Sequence, residues 1–158
     1  MLIASGDVDN ALLIMKEAAH WLADAGMPLW DPGDFSKEKI LANNHEDDFR
    51  VGYENGVPVA AMILKWHDPD FWPDAKPNES GYVHKLAVRR MYAGKGYAAE
   101  MLTFAGKECR RRGISRLRLD CAADRPKLCR LYENLGFVRV DGRRRGEYDA
   151  AFYEKRIR

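Results

Sequence analysis

One stretch constrains this chain more than any other. Tyr82-Val83-His84-Lys85-Leu86-Ala87-Val88 leads through Arg89 to Ala93 into Gly94-Lys95-Gly96-Tyr97-Ala98-Ala99-Glu100-Met101-Leu102. The first segment is apolar and partly β-branched and reads as a strand; the last reads as a helix, so both glycines stand at a strand-to-helix turn. Such a turn points backbone amides outward at the new helix start, where unpaired N–H groups and the macrodipole favour an anion. Glycine also serves turns for steric reasons alone. On these residues, phosphate binding and simple turning both remain open.

The rest of the chain is arranged around that stretch. Leu2-Ile3-Ala4 is a short strand, followed by a helix that Asp7 or Asp9 caps and that carries Leu12, Leu13, Met15, Ala19, Leu22 and Ala23 as its apolar stripe. Gly26 and Pro28 stop it, and Ser36 to Leu41 forms a short second helix. Phe49 to Tyr53 and Val57 to Leu64 make a hairpin through Asn55-Gly56, the strongest short-range hairpin signal. A long loop from Trp66 to Ser80 follows, and its Trp66, Phe71 and Trp72 are expected to fold back onto the body. Beyond the central stretch, a helix runs from Gly96 to about Arg112 and a strand from Ile114 to Cys121. Pro126 opens a helix that Gly136 closes, Phe137 to Val140 is a strand, Arg143 to Gly146 a turn, and Tyr148 to Ile157 the last strand. The order is β-α-α-β-β-β-α-β-α-β-β, an α/β (mixed α+β) fold.

At 158 residues, with no repeat or boundary, the chain is expected to form a single domain over 1–158. A hydrophobic content of 46%, a charged content of 32% and a net charge of +2 argue neither for disorder nor for a dedicated nucleic-acid binder. Basic residues nevertheless cluster at Lys107, Arg110, Arg111, Arg112, Arg116 and Arg118, and again at Arg143-Arg144-Arg145. A solvated face and attraction for a polyphosphate both fit these clusters. No nucleic-acid-binding motif accompanies them. Cys109, Cys121 and Cys129 are odd in number and lack a CxxC pair, which is expected of reduced thiols in the cytoplasm. No apolar run approaches the roughly 18 residues of a membrane span.

This order, with these segments, resembles the GNAT family of N-acetyltransferases. In that family a strand leads into a loop of pattern Gln/Arg-x-x-Gly-x-Gly/Ala, matched here by Ala93-Gly94-Lys95-Gly96-Tyr97-Ala98. Gly96 and Ala98 conform, and Ala93 departs from the usual Arg or Gln. The second signature, Leu-Tyr-Glu-x-x-Gly-Phe, appears as Leu131-Tyr132-Glu133-Asn134-Leu135-Gly136-Phe137. An Asn often found at the start of that helix falls near Arg125, a second departure. The resemblance implies a three-layer fold with a mixed, mostly antiparallel sheet of about six to seven strands and about four helices. It further implies acetyl transfer from acetyl-coenzyme A to an amine by direct transfer in a ternary complex, without a metal. The rival from another class is a non-catalytic acyl-coenzyme-A-binding module with the same fold.

The resemblance implies roles residue by residue. Backbone groups of Leu86, Ala87 and Val88 hold the pantetheine arm. Gly94, Lys95, Gly96, Tyr97 and Ala98 wrap the pyrophosphate, Arg125 meets the nucleotide end, and Tyr132 is a cofactor contact at the pantetheine sulfur. Tyr132 is the expected general acid, since a phenol near pKa 10 can protonate a thiolate whose own value is about 8.5. For the base, His84 offers an imidazole that titrates near neutrality; Glu79, Asp120 and a water chain are alternatives. Trp30, Trp66, Trp72 and Asp120 are the expected acceptor residues, aromatics beside carboxylates suiting a cationic amine. The expected partner is a small-molecule amine, or else a peptide or protein amine, with no nucleic acid, no membrane, and a homodimer left open.

Overall fold

The computed structural model describes residues 1–145 and 148–158. Among the described residues the chain forms seven strands and four α-helices. In order these are β1 (Leu2–Ser5), α1 (Val8–Asp24), α2 (Lys37–Leu41), β2 (Phe49–Glu54), β3 (Val57–Lys65), β4 (Gly81–Val88), α3 (Tyr97–Arg111), β5 (Arg116–Ala122), α4 (Pro126–Asn134), β6 (Val138–Arg145) and β7 (Tyr148–Arg156). The sheet order is β1-β2-β3-β4-β5-β7-β6. β4 and β5 run parallel, with Gly81 opposite Leu117 and Val83 opposite Leu119. The β1–β2, β2–β3, β5–β7 and β6–β7 pairs are antiparallel. The mixed, mostly antiparallel class expected from sequence is therefore the one observed. The chain divides into two compact units: Met1–Leu64 with Lys85–Phe104, and Lys65–His84 with Ala105–Arg158.

In the first unit, α1 starts where Asp7 accepts a hydrogen bond from the Asn10 N–H at 3.1 Å, a cap worth about 1 kcal/mol. The Tyr53 hydroxyl also donates to Asp7. Burial alone disfavours the charged carboxylate, but the bonds from Tyr53 and Asn10 outweigh it and hold Asp7 below its usual range. α1 buries Val8, Ala11, Leu12, Ile14, Met15 and Ala19 against Phe35, Phe49, Val51, Ala61 and Ile63. Leu13, expected in this stripe, is 52% exposed. At 100° per residue it turns away from the face set by Ala11, Met15 and Ala19, and Ile14 takes the inward place. The hairpin forms at Asn55 and Gly56, whose φ values of 52° and 78° suit a two-residue turn that matches the strand twist.

In the second unit, Leu117, Leu119 and Cys121 are buried on one face of β5, while Arg116, Arg118 and Asp120 occupy the other. The aromatics of the Trp66–Ser80 segment fold back as expected, Phe71 and Trp72 onto this second face and Trp66 beside Cys109 and Leu117 on the first. Trp72 meets Phe152 edge-on at 5.3 Å between centroids and lies 6.2 Å from Tyr82. Arg118 crosses Trp72 at 4.4 Å and binds Glu154 at 2.8 Å. The turn expected at Arg143 to Gly146 is corrected: β6 continues to Arg145, with Arg143 opposite Ala150 and Arg144 opposite Asp149. These arginines can be strand residues because their heads have partners. Arg143 stacks 3.8 Å above Phe152 and donates to the Phe71 carbonyl at 2.6 Å, and Arg144 reaches Asp149 at 3.5 Å. Gly146 lies outside the described residues.

Candidate active site

The residues expected to hold a cofactor, Arg125 and Tyr132 apart, lie in the first unit. β4 ends with half-buried Leu86 and Val88 around buried Ala87. Within the strand, Lys85 adopts φ 53°, an unusual conformation for a residue with a side chain, and its Nζ lies 5.3 Å over the Trp30 ring. Trp30 itself packs edge-on against Phe35 at 5.9 Å. A short 3₁₀ turn at Arg90–Tyr92 then delivers the chain to Gly94 and Gly96, with φ values of 78° and 82°. A Cβ built on either glycine would meet nothing within 4 Å. The glycines are thus required by backbone conformation, and the space before them is open to a ligand. α3 begins immediately after, at Tyr97, and helix geometry leaves its first N–H groups without intrahelical acceptors. An exposed glycine turn ending on a helix start is a fit for a phosphate group. Lys95 rests 5.6 Å over Tyr92, so its ammonium is at the same turn.

The expected general acid lies in the second unit, on α4. The helix starts with Pro126 at its first turn and ends by a Schellman arrangement. Gly136 has φ 92° and its N–H bonds the Glu133 carbonyl at 3.1 Å; the Phe137 N–H bonds the Tyr132 carbonyl at 3.0 Å. The Phe137 ring then meets the Tyr132 ring at 6.1 Å. The Tyr-x-x-x-Gly-Phe spacing is therefore a helix stop that locks its own tyrosine. Tyr153 also packs against Tyr132, at 6.0 Å, and donates to Glu133 at 2.8 Å. Tyr132 is 7% exposed. Burial, then the neighbouring Cys121, Asp120 and Cys129, push its phenol above the ordinary value, so it stays protonated. Cys121 and Cys129 lie 3.7 Å apart, sulfur to sulfur, and burial pushes the Cys121 thiol up as well. Arg125 forms the helix cap position without a side-chain cap bond, its Nε 3.8 Å from Asp124.

The second unit also holds His84, Trp66, Trp72 and Asp120. His84 Nε2 is 3.1 Å from Asp68 Oδ2, and the Phe71 ring lies 5.7 Å from the imidazole. Trp66 is covered by Arg112 at 4.1 Å. Trp72 lines a cavity of about 450 Å³ with Arg116, Arg118, Arg143, Asp141 and Glu154. Trp66 and Asp120 are not among its walls, and half-buried Asp120 pairs with Phe152 across the β5–β7 ladder. The contact between Asp68 and His84 escaped sequence reasoning, because fifteen residues of loop and strand separate them and no local pattern marks the pairing. Among the described residues no group of three or more His, Cys, Asp or Glu side chains is placed to hold a metal ion. Among the same residues no helix is long and apolar enough to cross a membrane.

A family model described as the acetyltransferase (GNAT) family matches residues 15–137. A Bacillus subtilis (strain 168) protein named "Uncharacterized N-acetyltransferase YesJ" is 29% identical over 139 residues, covering 83% of this chain and 76% of its own. The crystal structure of the ribosomal-protein-S18-alanine N-acetyltransferase from Escherichia coli is similar at a TM-score of 0.73 and 24% identity, covering 99% of this chain and 93% of its own. The PaiA N-acetyltransferase of Thermoplasma acidophilum, solved in complex with coenzyme A, gives 0.72 at 20% identity, with 99% of both chains covered.

Proposed function

The chain belongs to the acetyltransferase (GNAT) family and is an acetyl-coenzyme-A-dependent N-acetyltransferase, and we propose that its acceptor is a small-molecule amine, acetylated directly in a ternary complex. The family match runs through residues of both units, which supports reading 1–158 as one catalytic domain. Acetyl-coenzyme A supplies the activated acetyl thioester. In this proposal the backbone of Leu86, Ala87 and Val88 orients the pantetheine arm, the amides of Gly94 to Ala98 with Lys95 hold the pyrophosphate, and Arg125 meets the nucleotide end. Tyr132 gives its phenolic proton to the departing sulfur, and His84 takes the proton of the attacking amine. Trp30, Trp66, Trp72 and Asp120 receive the acceptor. Free thiols at Cys109, Cys121 and Cys129 support a cytoplasmic setting. Edge strand β6, with Val138 and Val140 exposed, supports a homodimer, which sedimentation equilibrium tests.

The observation that carries the donor half is the pair of left-handed glycines opening onto the start of α3. The decisive experiment offers the enzyme acetyl-coenzyme A with a panel of small amines, N-terminal peptide amines and lysine side chains. Release of free thiol and the mass of the product are followed together. We expect thiol release that depends on a small amine. Release only with peptides would replace the proposed acceptor class, and none at all with bound donor would favour a binding module.

A further inference from the structure

Two of the three thiols are placed as a pair. Cys121 is buried on β5, Cys129 is half-buried on α4, and their sulfurs lie 3.7 Å apart, one thiol donating to the other. Regular elements rather than loops make this contact. The β5–β7 ladder sets Cys121 opposite Ala151. α4 is tied at both ends, the Cys129 N–H bonding the Arg125 carbonyl at 3.1 Å and the Phe137 N–H the Tyr132 carbonyl at 3.0 Å. Cys109, the third thiol, donates instead to the Arg116 carbonyl at 3.8 Å. A disulfide needs its sulfurs at about 2.0 Å, so a closure of under about 2 Å, shared between two side chains, joins the pair. The surroundings give such a bond a consequence. Cys129 and Tyr132 stand three residues apart on α4 and so share a helix face. Burial, and then Cys121, Asp120 and Cys129, hold the Tyr132 phenol in its protonated form. A bond between the two sulfurs therefore fastens α4 to β5 directly beside the phenol.

We infer that Cys121 and Cys129 form a reversible disulfide that brakes the acetyl transfer, with hydrogen peroxide as the oxidant. The braking half rests on Tyr132 being the proton donor to the leaving sulfur. Half-buried Cys129 is the sulfur that a small oxidant meets first, whereas burial pushes the Cys121 thiol up and keeps it neutral. The Cys129 thiolate attacks one peroxide oxygen, the O–O bond breaks, and hydroxide leaves with the proton that the thiol gave up, as water. Cys129 is then a sulfenic acid. The Cys121 sulfur attacks Cys129 Sγ, the S–O bond breaks, and the departing hydroxide takes the Cys121 proton as a second water. Two thiols are oxidised and one peroxide is reduced. Excess small-molecule thiol reverses the bond by exchange. Joining the sulfurs draws α4 and β5 together at Tyr132, and a displacement of about 1 Å in a catalytic group can cost about 100-fold in rate.

The test treats the full chain with hydrogen peroxide and maps it without reduction. Trypsin cleaves after Lys127, between the two cysteines, so their peptides stay together only when the sulfurs are joined. We expect a linked peptide, lighter by two hydrogens than its separate parts and split by dithiothreitol. Once peroxide is removed, the linked form should acetylate the small-amine panel about 10-fold or more slowly than the reduced chain, and dithiothreitol should restore the rate. Cys129→Ser should keep its turnover through the same treatment, as should Cys121→Ala. Intact thiols, or a sulfinic acid at Cys129 without a linked peptide, would overturn the disulfide. A linked peptide with unchanged turnover, or an equal loss of turnover in Cys129→Ser, would overturn the brake. Full turnover by reduced Tyr132→Phe would instead overturn the reading of Tyr132 as acid while the linked peptide still formed, so the failures are distinguishable.

Discussion

Gly96 and Lys95 are neighbours in the turn, yet they are expected to matter unequally. Gly96 sits at φ 82°, which a β-branched residue adopts only at a cost of about 1–2 kcal/mol, and its Cβ would stand in the open space before the turn. Lys95 is exposed and already leans on Tyr92, so it would add one screened charge to the proposed site of backbone amides. Titration calorimetry should show Lys95→Ala weakening acetyl-coenzyme A by no more than about 10-fold, whereas Gly96→Val weakens it by about 100-fold or more. Equal losses would mean that side chains, not backbone, carry the phosphate. Tyr132 offers a second residue-level test. Its phenol is raised by burial and by Cys121, Asp120 and Cys129, so the folded state favours the protonated form. That preference contributes stability below the unfolded value of about 10 and loses it as pH rises above. Tyr132→Phe should therefore lower kcat about 100-fold at neutral pH while flattening the fall in melting temperature above about pH 10. Unchanged turnover would remove Tyr132 from the mechanism.

At the scale of elements, the contact of α3 with β4 in the second unit is a matter of a missing side chain. A Cβ at Gly81 would stand 2.6 Å from Cys109 Sγ, 3.2 Å from Trp66 and 3.3 Å from Leu117. Cys109 is fully buried, and burial pushes its thiol up to about 11, so it behaves as a neutral packing group. Gly81→Ala should cost about 1–3 kcal/mol of unfolding free energy through overpacking. Cys109→Ala removes the nearest atom, and denaturant titration of the double variant should give less than the sum of the two single losses. Strict additivity would show that the strand moves instead. Elements with local chemistry are legible in the sequence itself. The Asn55-Gly56 hairpin, the Asp7 cap and the Gly136 stop each depend on residues a few positions apart. The extension of β6 through Arg143 is not legible there, because the Arg143 head is held by the Phe71 carbonyl, 72 positions away in the chain.

For the whole molecule the same division separates donor from acceptor. In the proposed donor site phosphate is held by backbone, and backbone that must approach a ligand leaves a glycine record at fixed spacing, here Gly94 and Gly96. An acceptor site is built from side chains of remote segments, and the tryptophans proposed for it each carry another contact: Trp30 with Phe35, Trp66 with Arg112, Trp72 with Phe152. Their presence in the sequence is explained by packing before it is explained by an amine. The donor therefore provides the sharper test of the molecule as a unit. A ligand that binds only the folded chain stabilises it by RT ln(1 + [L]/Kd), about 2.7 kcal/mol at 100 times Kd. For a chain of this length each kcal/mol shifts the midpoint by about 2–4 °C, so saturating acetyl-coenzyme A should raise the melting temperature by about 5–11 °C. Gly96→Val should abolish most of this shift at the same concentration. Tyr132→Phe should retain all of it, because the proposed role of the hydroxyl begins only when the C–S bond breaks. Loss of the shift in Tyr132→Phe would make that residue a cofactor ligand rather than an acid, even if its turnover also fell.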